Sequence, residues 1–142
     1  MADDVLINKA ATIERCVARV REEYVKNPNT FPMYFTRQDV AILNIQRACE
    51  AALDIGQHLI RREKLGIPQS ARDVFTLLAQ DGWINTVLAD KLKRMVGFRN
   101  IAVHDYRALQ LPILISIIET HLDEFLEYSQ ALLLGEASQT KE

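Results

Sequence analysis

Long apolar runs are what this chain most lacks. Its most apolar window, Ile113 to Ile118, is bounded by Pro112 and Glu119, whereas a membrane-spanning helix needs about 20 apolar residues. No transmembrane segment and no membrane partner are expected. The first ten residues include Asp3 and Asp4 and lack the basic start and continuous apolar stretch of a secretory signal, so the expected location is the cytoplasm. Gly and Pro number only five and four, too few for a disordered or fibrous chain. Two Cys and three His without CxxC or HxxxH spacing offer no cage of the zinc kind. Strand alternation between hairpin turns is absent, and so is a repeat of fixed period.

What is present is helical periodicity. The 142 residues, 49% of them hydrophobic, suffice for one sizeable core and not comfortably for two domains. A single domain is expected over residues 1–135, with a polar tail at 136–142 that frays. Leu6, Ala10, Ile13, Val17, Val20 and Tyr24 recur at steps of four and three, one face of an amphipathic helix that stops at Asn27-Pro28-Asn29. Thr36 with Asp39 resembles a capping box and opens the longest run, to about Lys64. Gly66 and Pro68 end that run, and Ser70 with Asp73 caps a short third helix. After the Asp81-Gly82 turn a fourth helix carries Val87, Lys91, Arg94, Met95 and Phe98. A last one begins near Pro112 with Ile113, Ile117, Leu122, Phe125 and Leu126. Cys16 and Cys49 sit among apolar neighbours as small buried thiols do. The predicted fold class is all-α, an antiparallel bundle of about five helices. Additional apolar positions on the last helix, Leu111, Leu114, Ile115 and Ile118, suggest self-association or a partner helix.

Residues 99–106 read Arg-Asn-Ile-Ala-Val-His-Asp-Tyr, a concentration of one guanidinium, one amide, one imidazole and one phenol. On a helix Asn100 and His104 share a face, while Arg99 lies to the side and must reach with its stem. Between Lys91 and Arg107 stand Lys91, Lys93, Arg94, Arg99 and Arg107 against Asp105 alone, a local charge of +4 in a chain of −2. Lys91, Arg94 and Arg107 are the candidate basic patch for a polyanion such as RNA; the same charges also suit a merely solvated helix face.

This set of side chains suits RNA cleavage without a metal, in which the 2′-hydroxyl attacks the adjacent phosphorus. An imidazole ordinarily titrates near pH ~6.5 and so can take or give that proton. A guanidinium forks onto two phosphate oxygens and stabilises the charge that develops. Arg99, Asn100 and His104 are therefore the candidate catalytic residues, and no cofactor is implied. One imidazole does not easily serve as both base and acid; a twofold dimer would supply a second His104. His58 and His121 have no motif around them and read as surface or boundary residues. Glu50 and Asp54, one turn apart on the second helix, are open between a shared role near Arg99 and His104 and ordinary ion pairs with Arg47 or His58.

The arrangement Arg99, four residues, His104, one residue, Tyr106 resembles the signature of the HEPN superfamily. Within it, residues 3 to 134 resemble the HepT toxins, including Gln46-Arg47-Ala48-Cys49-Glu50-Ala51 and Leu65-Gly66-Ile67-Pro68. The resemblance implies a metal-independent endoribonuclease, acting on tRNA or mRNA as a homodimer in which two motifs face one RNA cleft. It also implies a partner, a MntA-like minimal nucleotidyltransferase antitoxin, that transfers AMP to Tyr106 and silences the toxin. A bulky adenylate there would fill the cleft and repel substrate phosphate. The alternative for Tyr106 is an aromatic that closes a helix end. Two other readings stand beside the enzyme: a noncatalytic helical subunit that binds a nucleotidyltransferase or nucleotide, and a structural bundle whose apolar face serves assembly.

Overall fold

A computed structural model describes residues 3–26, 28–104 and 110–140. All regular structure among them is helical: α1 (Asp4–Val25), a 3-10 turn (Phe31–Met33), α2 (Phe35–Glu63), α3 (Ala71–Gln80), α4 (Thr86–His104), α5 (Leu111–Thr120) and α6 (Leu122–Thr140). No described helix is long and apolar enough to cross a membrane.

α1 is opened by Asp3, whose side chain accepts from the Val5 and Leu6 amides, as an N-cap should. Its face of Leu6, Ala10, Ile13, Val17 and Val20 is buried as the spacing predicts, and it packs along α2. α2 supplies the centre of the core through Ala41, Ile45, Ala48, Ala52, Ile55 and Leu59. The start of α2 differs from the expected Thr36–Asp39 capping box. Tyr34 occupies the cap position with no side-chain acceptor, because the 3-10 turn feeds straight into the helix and Gln38 Nε2 donates back to the Phe31 carbonyl. The far end closes at Lys64 in the left-handed region, φ 56°, with the Leu65 amide reaching the Ile60 carbonyl at 3.0 Å. Gly66, φ 126°, then makes the turn.

Ser70 caps α3 as expected, its hydroxyl accepting from the Asp73 amide. At α4 the Asn85 side chain takes the Leu88 amide at 2.7 Å. The expected last helix is two helices. It breaks at His121, since Asp123 and Glu124 favour the start of a helix over its middle and the His121 ring, Nδ1 2.7 Å from Glu124 Oε1, folds over the new first turn. The polar stretch after Gly135, expected to fray, continues α6 to Thr140, because Glu136 is gripped by Arg62 of α2.

Cross-links fix the directions. Asp3 meets His58 and Arg62, so α1 runs against α2. Glu50 meets Arg99 while Arg62 lies over the Trp83 ring, so α4 also runs against α2. Tyr128 donates to the Ala52 carbonyl at 2.7 Å and Glu136 meets Arg62, so α6 runs with it. The C-terminal end of α4, with His104, is therefore carried toward the N-terminal half of α2.

Candidate functional site

The candidate site is the last turn and a half of α4. A residue on an α-helix is turned about 100° from the one before it, which places Asn100 and His104 about 40° apart and Arg99 about 140° from His104. The structure follows this geometry. Arg99 turns inward and its Nη1 donates to Glu50 Oε1 on α2 at 3.2 Å; the arginine side chain is only 21% exposed. Its Nε is buried without a hydrogen-bond partner among the described residues, an unusual state for a charged donor. Below it lies Cys49, whose thiol donates to the Met95 carbonyl. Burial pushes that thiol up to about 12, against a weaker opposing pull from the Arg99 charge.

Asn100 is half-buried, and His104, the last helical residue, is exposed. The chain thus brings Asn100 and His104 to one face and turns Arg99 to another. Tyr106 and Arg107, expected as the modified residue and as part of the basic patch, lie outside the described residues, as does Asp105.

The other two members of the expected basic patch sit elsewhere. Lys91 and Arg94 line an apolar groove of about 510 Å³ between α4, α5 and the start of α6, with Met95, Phe98, Ile113 and Ile117. Lys91 is turned about 140° from His104 along the helix, Arg94 about 80°. What shares the His104 face instead is Lys93 and Gly97. Lys93, Gly97, Asn100 and His104 follow one another at steps of four, three and four, and so fall within about 60° of one another. Arg72 of α3 joins this stripe: its Nε donates to the Lys93 carbonyl at 3.2 Å. Counting charge along residues 91–107 found neither the stripe nor Arg72, because the count ignores helix phase and Arg72 arrives from another element.

Glu50 and Asp54 part company. Glu50 holds Arg99, not Arg47, and Asp54 pairs with Lys9 of α1 at 3.3 Å, so the two do not serve one cleft. His58 and His121 are spoken for at the periphery, by Asp3 at 2.6 Å and Glu124 at 2.7 Å.

Comparison with known proteins bears on the whole chain. The Ribonuclease HepT-like family matches residues 13–132, a span that includes Arg99, Asn100, His104 and Tyr106. A Shewanella oneidensis protein described as the mRNA nuclease HepT is 51% identical over 126 residues, 89% of this chain and 94% of that protein. Among solved structures, a tri-AMPylated Shewanella oneidensis HEPN toxin in complex with an MNT antitoxin superposes with a TM-score of 0.89. It is 48% identical and matches 94% of this chain and 99% of its own. A toxin–antitoxin crystal structure with AMP-PNP is likewise similar, at a TM-score of 0.89 and 48% identity over 93% of this chain and 99% of its own.

Proposed function

Because this chain belongs to the HepT-like ribonuclease family, we propose that it is the toxin of a toxin–antitoxin pair, a metal-independent endoribonuclease that acts as a homodimer on mRNA or tRNA. The observation that carries this reading is the family match, which runs through the α4 motif, together with 51% identity to an mRNA nuclease. The geometry is compatible with a second copy. Arg99 and His104 lie on different sides of α4, and two helix ends that met would bring the Arg99 of one chain and the His104 of the other to one phosphate. The apolar groove beside Lys91 and Arg94 offers that meeting a surface next to the motif.

In the proposed reaction one His104 takes the proton from a ribose 2′-hydroxyl, whose oxygen attacks the neighbouring phosphorus. The bond from phosphorus to the 5′-oxygen breaks, and that oxygen receives a proton from the second His104. The products are a 2′,3′-cyclic phosphate and a 5′-hydroxyl. Arg99 stabilises the extra negative charge on the phosphoryl oxygens as it develops, and Asn100 orients the imidazole or the phosphate. For silencing, a relative's AMPylated complex with an MNT antitoxin supports the same kind of nucleotidyltransferase as partner here, with Tyr106 as the AMP acceptor.

The test is incubation of the purified protein with mRNA and tRNA in EDTA, beside His104→Ala, with the new ends mapped. Cleavage by the parent protein that leaves cyclic phosphates and disappears in His104→Ala is the expected result. Intact RNA from protein whose mass shows no AMP would overturn the reading.

A further inference from the structure

We propose that Arg72 and Lys93 form a phosphate-binding subsite for single-stranded RNA on the α4 stripe that ends in Asn100 and His104. The proposal rests on the ribonuclease reading above and extends its site onto α3.

Three observations converge. The first is position: Lys93, Gly97, Asn100 and His104 share one face of α4, and Lys93 lies roughly 16 Å from His104 along the axis at ~1.5 Å per residue. The second is how Arg72 is held. Its Nε is spent on the Lys93 carbonyl, which fixes the plane of the fork, and neither of its Nη groups pairs with a described carboxylate. Arg72 is exposed, so its Nη groups are open to a phosphate, whose oxygens a guanidinium fork grips. The third is Gly97. A Cβ there would stand 3.2 Å from Arg72 Nη2, so the guanidinium lies directly over the bare backbone of α4. Glycine is a poor residue for a helix interior, and here it leaves a shelf for that guanidinium on the stripe itself.

Lys93 completes the pair with a half-buried side chain whose nearest acid, Asp90, is 4.0 Å away, a loose contact that a phosphate can displace. Because the subsite lies away from the bond to be cut, it contributes to binding rather than to the chemical step. It takes the RNA backbone and reads no base.

The experiment measures binding of a short fluorescent single-stranded RNA of mixed sequence to the His104→Ala protein, with and without Arg72→Gln or Arg72→Lys, across a salt series. Arg72→Gln is expected to weaken binding several-fold and to flatten the dependence of log affinity on log salt by about 0.7, the share of one phosphate contact on a single strand. Arg72→Lys keeps most of that slope. In the parent protein, Arg72→Gln raises KM and leaves kcat within twofold. An unchanged salt slope, while the parent protein cleaves RNA, overturns the subsite and spares the ribonuclease reading. A loss of slope in a protein that never cleaves RNA supports the subsite and removes the ribonuclease reading. If Arg72 only braces α3 on α4, both variants melt earlier and bind RNA with the parent slope, which also overturns the proposal.

Discussion

The same substitution, Gly to Ala, is expected to have opposite signs at two helix positions. At Gly56 on α2 an added Cβ would stand 2.5 Å from Val74 Cγ1, 3.0 Å from the Tyr128 hydroxyl and 3.2 Å from Leu78 Cδ1. Carbon atoms in good contact are about 3.5–4.0 Å apart, so Val74 must retreat by roughly 1 Å. It cannot rotate aside cheaply, since a helical valine has one strongly preferred rotamer. Tyr128 is fully buried and tied to the Ala52 carbonyl, so it yields no room either. Overpacking of this kind typically costs about 1–3 kcal/mol, and the better helix propensity of Ala returns about 0.5–1 kcal/mol. Gly56→Ala should therefore destabilise by roughly 1–2 kcal/mol and lower the melting temperature by roughly 3–8 °C. At Gly97 the new methyl meets only Arg72 Nη2, at 3.2 Å, which a few tenths of an ångström of give at an exposed side-chain end relieves, and Gly97→Ala should be neutral or stabilising by up to ~1 kcal/mol. Urea unfolding followed by circular dichroism, at one protein concentration and with equal m-values, reads both. A Gly56→Ala protein as stable as its parent, or a Gly97→Ala protein that loses as much as Gly56→Ala, would refute the packing argument.

Asp3 governs part of the acid stability: burial pushes its carboxyl up, but His58, the Leu6 amide and Arg62 together outweigh burial and hold it at about 2, against an ordinary 3.8. Its folded value is depressed, so its contribution is complete above about pH 3.8 and is lost as pH falls toward 2; Asp3→Asn, which keeps the cap, should flatten stability over that window in acid titrations. Glu50→Gln should lower kcat about three- to tenfold with little change in KM, because Arg99 loses the charge that orients it; unchanged kcat in single-turnover cleavage would remove Glu50 from that role. Co-expressed Arg99→Ala and His104→Ala chains, each inactive alone, should stay inactive, since a mixed dimer keeps one His104 where the reaction uses two, as base and as acid. Recovered cleavage in the mixed dimers would mean that one His104 suffices.

Much of the bundle was legible because burial follows helix phase. The α1 face, the Ser70 cap and both buried cysteines sit where spacing put them. What misled was chemistry resolved by neighbours distant in sequence. Thr36 and Asp39 carry a capping pattern, yet the Pro32 turn and Gln38 start α2 without it. The tail looked soluble and loose because Arg62, which holds Glu136, lies over 70 positions earlier. At the site, the motif announced its residue types through density alone. Its orientation was half readable: Asn100 and His104 on one face follow from spacing, whereas the inward turn of Arg99 depends on Glu50 across the helix pair. Lys91 and Arg94 were grouped with His104 by proximity in the chain, and helix phase separates them.

The clasp of Asp3, His58, Arg62 and Glu136 has a meaning in time as well as in space. It joins the cap of the first helix to the last helix by way of the middle of the chain, so it closes loops of 59 and 74 positions. Contacts of such span are entropically the last to be rewarded during folding. Interactions that form after the transition state act on how slowly a protein opens rather than on how fast it forms. The arm of the clasp from Arg62 to Glu136 is therefore expected to govern how long the finished fold lasts more than how quickly it forms.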